Sequence, residues 1–242
     1  MTPDFSSADA GKFEKTSRQV AIDEVITSRR SVRQFLPGPI PIETVIEVLD
    51  VAARAPSGHN TQAWNVHVLV EDALRRLSAS ILERLDATES APDQPEFDSY
   101  PTEWISPYIE RRRKVGKDMY TLLGIPRGDT AGMRTQLFKN YTFFGAPVGL
   151  MFTLPRIMVP GSVLDLGMFM QSVMLAALAR GISTCPQAAF APFHRIIADQ
   201  LSLPNDQVVI CGMSMGYADA TAPVNQVVTH REPASSFSFV HG

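Results

Sequence analysis

One segment constrains the fold more than any other. From Ser162 to Arg180 the chain reads SVLDLGMFMQSVMLAALAR, about five helical turns that are apolar on nearly every side. A helix with one polar face lies on a surface, whereas one that is apolar all round must be buried. Gly181 follows as a C′ residue able to close it. In a chain of 242 residues such a helix is expected at the centre of the fold, covered in part by another subunit. Its most apolar part, Val163 to Leu178, is broken by Asp165, Gln171 and Ser172, and falls short of the ~20 apolar residues of a membrane span. The 10 Met and 13 Phe, against only 5 His and 2 Cys, suit a large core, a subunit interface or a flat ligand slot.

The remaining elements are read around this helix. Residues 1–19 are polar and unpatterned, an expected flexible N-terminal arm. Ile22, Val25 and Ile26 start a short helix ending near Ser28-Arg29-Arg30. After Pro37-Gly38-Pro39, the positions Ile42, Val45, Ile46, Leu49, Ala52 and Ala53 predict a helix with Pro41 in its first turn. Trp64 to Val70 predicts a strand, and helical patterns resume at 72–86, 104–123 and 130–141, with a loop over Ser90–Pro101. The short apolar runs Val148–Leu154 and Val208–Met213 predict buried strands. From Asp219 the chain loses periodicity and reads as an extended tail. Three to five strands mixed with longer helices, without βαβ alternation, predict an α+β fold.

Composition removes several function classes. The 22 basic and 25 acidic side chains leave a net charge of −3, without the basic stripe of a nucleic-acid binder. Cys185 and Cys211 form no C-x-x-C pair, so neither a disulfide framework nor a zinc site of usual spacing is expected. His59 and His194 likewise have no partner at metal-ligand spacing. The opening MTPDFSSADAGKFEK lacks a secretory apolar run, so the expected compartment is the cytoplasm, with no membrane partner. No G-x-G-x-x-G follows a strand, and Gly116-Lys117 lacks the rest of a P-loop.

Two segments remain that can hold a ligand. Arg29-Arg30-Ser31-Val32-Arg33 puts three guanidiniums and a hydroxyl within five residues, a set able to bind phosphate through charge-assisted hydrogen bonds. A solvated basic helix end has the same composition. The stretch Ala55-Pro56-Ser57-Gly58-His59-Asn60-Thr61-Gln62-Ala63-Trp64 is rich in small donors between a helix and a strand. It can bring backbone N–H groups to an anion or a planar heterocycle, or be only a turn.

Together these segments resemble the flavin-binding elements of the nitroreductase family. The family's R-R-S-x-R/K cluster corresponds to Arg29, Arg30, Ser31 and Arg33, and its P-S-x-x-N-x-Q-P-W element to Pro56, Ser57, Gly58, Asn60, Gln62 and Trp64, with Ala63 where proline is usual. Gly145-Ala146-Pro147, Asp165-Leu166-Gly167, the segment Gly181 to Gln187, Gly216-Tyr217 and Thr229-His230-Arg231 continue the series in family order, so the resemblance covers about residues 20–233.

The resemblance implies a nitroreductase-like fold, with a central mixed, mainly antiparallel sheet flanked by helices in a domain-swapped homodimer. The domain would span 20–218, with a lid or insertion at about 88–144, and 219–242 would form an arm around the partner. It implies FMN as cofactor, NAD(P)H as electron donor and a small planar nitroaromatic acceptor reduced by a ping-pong mechanism. By similarity Arg29, Ser31 and Arg231 hold the phosphate and ribityl end, Arg33 reaches the pyrimidine side of the ring, and Arg30 is a further cofactor-binding residue. Pro56, Ser57, Gly58 and Asn60 line the flavin from the other subunit, with Gln62 a further cofactor-binding residue, and Pro186, Gln187, Ala188 and Ala189 face the N5 edge. Thr229 stands where some members carry a second phosphate-binding lysine. No catalytic triad is expected, because a flavin carries the chemistry itself.

Other readings stay open at this stage. A flavin enzyme of this kind can reduce a quinone, an enone or a halogenated phenol, or consume its own FMN. Gly212-Met213-Ser214-Met215-Gly216 matches the nucleophile-elbow pattern G-x-S-x-G, although no helical periodicity follows it. Arg111-Arg112-Arg113-Lys114 is either a solvated face or a contact for a phosphate of NADPH. The aromatic residues between Phe97 and Phe144 are core residues or a stacking surface for a planar substrate.

Overall fold

The computed structural model describes residues 15–87 and 93–242. The arm up to residue 14 and the start of the expected insertion, 88–92, lie outside the described residues. Helix α1 (Ser17–Ser28) begins at a capping box in which Thr16 and Gln19 each bond the other's backbone N–H, so the last residues of the expected arm are helical. Helix α2 (Ile42–Ala52) follows, then β1 (Asn65–Val70) and α3 (Glu71–Ala87). Helices α4 (Tyr108–Leu122) and α5 (Thr130–Phe138) lie in the stretch expected as an insertion. Then come β2 (Val148–Pro155), α6 (Val159–Leu178), β3 (Ser183–Gln187), α7 (His194–Leu201) and β4 (Gln207–Gly216).

The strands form one sheet in the order β1-β2-β4-β3, with every strand pair antiparallel. The parallel component of the expected mixed sheet is a single bridge between Ser31 and Thr184. The two strands foreseen as buried runs are its centre. Val148, Leu150, Phe152 and Leu154 of β2 face the core under α2 and α6, whereas Met151 faces a second core with Leu77, Phe143 and Phe190. A register shift opposite Phe152 and Thr153 inserts Ile210 as an extra residue in β4. Val208 before the bulge, the bulged Ile210 itself, and Met213 and Met215 beyond it thereby reach the same core.

Helix α6 crosses one face of the sheet. Leu166, Phe169, Val173 and Ala177 are buried, and Trp64 stacks on Phe169 at 4.7 Å. Gly181 takes φ +72° and the Ile182 N–H donates back to the Ala177 carbonyl at 3.0 Å, the closure expected of a C′ glycine. Within one chain the burial is incomplete. One stripe, Val163, Leu164, Gly167, Met168 and Gln171, lines an open, largely apolar hollow, and Leu164 is 73% exposed. With the preceding turn, Arg156–Leu178 is long and apolar enough to cross a membrane by length and composition. Its packing, and the hydrogen-bonded Asp165 within it, are those of a core helix.

Other differences are local. The buried stripe of α2 is Val45, Val48 and Ala52, with Ile42 and Ile46 exposed, and Pro41 is the N-cap instead of a first-turn residue. Strand β3 and helix α7 were not foreseen. The former has no apolar alternation and contains Pro186, and the latter is only eight residues long. The helix expected over 130–141 stops at Phe138 and tightens into a 3₁₀ segment, Lys139–Gly145, where Phe143, Phe144 and Gly145 are left-handed.

Candidate functional site

The arginine segment leaves α1 by an abrupt change of backbone: Arg29 has φ −57° and ψ 127°. It is then pinned to the sheet. Ser31 bridges Thr184, the Val32 N–H donates to the Thr184 carbonyl at 3.1 Å, and the Leu36 N–H to the Tyr217 carbonyl at 2.8 Å. Asn225 completes the attachment from the tail. Its Oδ1 accepts the Arg33 N–H at 2.7 Å, and its Nδ2 donates to the carbonyls of Gln34 and Asp219 at 2.8 and 2.9 Å. No motif marks Asn225; only the folded chain brings it beside Arg33.

The result is a cavity of about 520 Å³ lined by Arg29, Arg30, Ser31 and Arg33, by Gln171 of α6, and by Thr229 and Arg231 from the tail. Five of the expected site residues thus meet from opposite ends of the chain, and among the described residues no carboxylate lines this cavity. The Arg231 guanidinium is held in place by the Thr229 hydroxyl at 2.7 Å and the His230 carbonyl at 3.0 Å. A smaller cavity of about 270 Å³, with Arg29, Arg30, Thr184, Met174 and Asn225 among its walls, adjoins it. Four guanidiniums and a hydroxyl, with no counter-charge among the described lining residues, are a donor set able to bind a phosphate monoester. Cys185 lies beneath the cluster. Burial pushes its thiol up, while Arg33, Ser31 and Arg29 pull it down. Burial takes Cys211 up to about 12, so it is a packing residue and not a nucleophile.

The second segment stands apart from this cavity within one chain. His59, Asn60 and Gln62 all have positive φ, 51°, 58° and 49°, a conformation costing about 1–3 kcal/mol each for non-glycine residues. The strain is held by two bonds within the loop and one to the central helix. The Gln62 N–H donates to Ser57 Oγ at 3.1 Å, the Gln62 side chain to the Asn60 carbonyl at 3.2 Å, and the Gly58 N–H to Asp165 Oδ2 at 3.3 Å. Pro56, Gly58, Asn60 and Gln62 are exposed.

The third segment differs in one respect from its expected role. Pro186, Ala188 and Ala189 are half-buried, but Gln187 is 3% exposed. Its Nε2 donates to the Asn140 carbonyl at 2.7 Å, and its Oε1 accepts the Ser214 hydroxyl at 2.6 Å. The Gln187 side chain therefore points into the protein and does not face a ligand at the surface. The same bonds remove the nucleophile-elbow reading: Ser214 is fully buried and its proton is given to an amide oxygen. In the insertion, Tyr141, Phe143 and Phe144 are core residues, whereas Tyr100 and Tyr108 are exposed. The basic run on α4 is partly engaged: Arg111 pairs with Glu232 at 3.3 Å, Lys114 with Asp118 at 2.7 Å, and Arg112 lies 5.0 Å over the Trp104 ring.

A four-stranded antiparallel sheet packed against one apolar helix, with a basic cavity after the end of α1, defines an α+β protein with a donor set suited to an anionic ligand. Residues 26–217 match the Nitroreductase family, and the chain belongs to that family. It is 42% identical over 220 residues to a 4-nitrobenzoate reductase of Pseudomonas putida, covering 91% of this chain and 95% of that protein. It is 39% identical over 223 residues to a chloronitrobenzene nitroreductase of Comamonas testosteroni, covering 91% and 97%. The solved structure of an FMN and NADPH-dependent nitroreductase NfnB from Sphigopyxis sp. strain HMH superposes with a TM-score of 0.87 at 35% identity, over 91% of this chain and 98% of that one.

Proposed function

We propose that this protein is an FMN-dependent oxidoreductase that uses NAD(P)H to reduce nitroaromatic compounds by a ping-pong hydride transfer, acting as a cytoplasmic homodimer. The observation that carries the reading is the convergence of Arg29, Ser31, Arg33 and Arg231 on one cavity without a counter-charge. The donor set fits the phosphate end of FMN: planar guanidiniums bind a phosphate bidentately, and the Ser31 hydroxyl and Gln171 amide offer neutral partners beside it. FMN, when bound, supplies the hydride-accepting and hydride-donating chemistry. The chain's task is to anchor, orient and shield it. Arg29, Arg30 and Arg231 anchor the phosphate, Arg33 places positive charge along the pyrimidine edge, and Ala188 and Ala189 let backbone approach the ring closely.

The names of the relatives support a nitroaromatic acceptor and NADPH as donor. The homodimer is supported by apolar surface left open in one chain: α1 has no buried residue, α6 exposes Leu164, and Phe237, Phe239 and Val240 of the tail are 65%, 82% and 97% exposed. In this reading residues 20–218 form the flavin-binding domain with its insertion at about 88–144. The tail 219–242 wraps a second copy, and Pro56–Gln62 reach the partner's flavin.

The test is purification followed by an absorbance spectrum, then anaerobic addition of NADPH or NADH and finally of 4-nitrobenzoate. A flavin spectrum, bleached by the nicotinamide and restored by the nitro compound, is expected. A colourless protein that FMN does not reconstitute overturns the reading. Bleaching without reoxidation by nitro compounds, but with reoxidation by a quinone, overturns only the acceptor. Progressive loss of flavin during aerobic turnover would instead mark FMN as substrate.

A further inference from the structure

The G-x-S-x-G motif has no role as a nucleophile, yet its serine sits at one end of a buried hydrogen-bond chain that ends beside the candidate ring-facing segment. Ser214 donates to Gln187 Oε1 at 2.6 Å, and Gln187 Nε2 donates to the Asn140 carbonyl at 2.7 Å. The orientation of the amide is unambiguous, because a backbone carbonyl only accepts and must face the amino end. Both side chains are almost wholly buried, Ser214 at 0% and Gln187 at 3% exposure. The chain ties the end of β3 to the C-terminal part of β4 and to the 3₁₀ segment Lys139–Gly145.

The next anchor along the chain is apolar. Phe190 is fully buried and stacks on Phe143 at 4.6 Å, and it lies so close over Gly212 that a Cβ there would collide with its ring. Ala188 and Ala189, both half-buried, are therefore a two-residue span clamped at both ends. One clamp is the polar chain through Gln187, the other the ring of Phe190. A polar residue at a core position costs stability unless both of its ends are partnered. An aliphatic side chain would fill the same space, so the pair is unexplained by packing alone.

We infer that Gln187, set by Ser214 and the Asn140 carbonyl, is a positioning residue that fixes the backbone of Ala188–Ala189 against the flavin and so governs the rate of flavin reduction. This rests on the flavin reading given above. The Gln187 side chain touches no ligand. Its effect is on the alignment of the two alanines, and small misplacements at a reacting centre cost up to about a hundredfold in rate.

The test uses the full-length holoenzyme and the variants Q187M, S214A and Q187M/S214A. For each, FMN content, FMN dissociation constant, flavin midpoint potential, thermal midpoint and the stopped-flow rate constant of flavin reduction at saturating NADPH are measured. The expected result for Q187M is a rate constant per bound flavin lower by about tenfold or more, with FMN affinity changed less than about threefold. S214A, which removes one bond only, should fall between wild type and Q187M. In the double variant thermal stability should recover, because removing both polar partners leaves fewer buried groups unpaired. The reduction rate should not recover. Recovery of stability and rate together would overturn the inference and leave a purely structural pair. So would Q187M and S214A reducing at the wild-type rate per bound flavin. If Q187M does not fold, S214A alone decides, by slowing reduction at unchanged FMN affinity or failing to. A wild-type protein that does not bind FMN refutes the flavin reading instead, so the two failures are told apart.

Discussion

Replacing Arg29 or Arg231 by alanine is expected to weaken FMN binding by unequal amounts. A hydrogen bond to a charged group contributes about 1.5–3 kcal/mol, and about 1.4 kcal/mol is tenfold in affinity, so one lost contact is worth roughly tenfold to a hundredfold. Arg29 is half-buried and lines both cavities, which puts R29A at the upper end of that range. Arg231 is exposed, so solvent screens its charge and R231A belongs near tenfold or below. Flavin-free protein is titrated with FMN and with riboflavin, following flavin fluorescence. Riboflavin lacks the phosphate, so the preference of wild type for FMN should shrink in both variants, more in R29A, while riboflavin affinity stays nearly constant. Added salt should reduce FMN binding more than riboflavin binding. Equal losses for both flavins would refute the phosphate assignment. A larger loss in R231A than in R29A would refute the ranking by burial.

Three further outcomes follow from the packing. L164E places a carboxylate on the open face of α6, where each leucine buried in a dimer contributes about 1.5–3 kcal/mol; sedimentation velocity should show a shift towards monomer, with loss of bound flavin. Gly149→Ala brings a Cβ to 2.6 Å from the Phe143 ring and 2.7 Å from Leu74, an overpacking expected to cost about 1–3 kcal/mol, read as a lower thermal midpoint. Burial holds the His67 pKa below its ordinary 6.5, so the unfolded chain takes up a proton before the folded one does. The contribution is complete above about pH 6.5 and is lost as the pH falls towards the depressed value; wild type should lose more thermal stability than H67Q between neutral pH and pH 5.

What was legible in the sequence depended on how local its cause was. The arginine segment announced itself because its guanidiniums are neighbours in the chain, and β2 and β4 because a strand buried on both faces is a continuous apolar run. The inward stripe of α2 was legible only in part: Val45 and Ala52 are buried as expected, whereas Ile42 and Ile46 are exposed and Val48 turns inward. Ile42 and Ile46 fit the helical period as well as Val45 and Val48 do, and only the position of α6 decides which stripe turns inward. Strand β3 has no pattern of its own; it exists because Ser183 to Gln187 pair with Gly212 to Gly216. The Pro186–Ala189 segment was placed by resemblance, but the inward turn of Gln187 depends on Asn140 and Ser214, neither of which is near it in sequence.

The central helix, expected to be covered in part by another subunit, explains why the two candidate binding segments do not meet in one chain. The Pro56–Gln62 loop is tied to α6 through Asp165, and the arginine cavity touches α6 at Gln171. Six residues apart, these positions are separated by about 9 Å along the helix and about 120° around it. A single α6 therefore directs the loop and the cavity to different sides. Gln171 also belongs to the open stripe with Leu164 and Met168, so that stripe runs directly into the wall of the arginine cavity. A second copy seated on it would bury the exposed leucine, extend the cavity wall and bring its own loop towards the ligand held by Arg29 and Arg231. The apolar face left open on α6 and the incompleteness of the site in one chain then have one cause. Loss of flavin and loss of the dimer should accordingly occur together in L164E, although Leu164 does not line the arginine cavity.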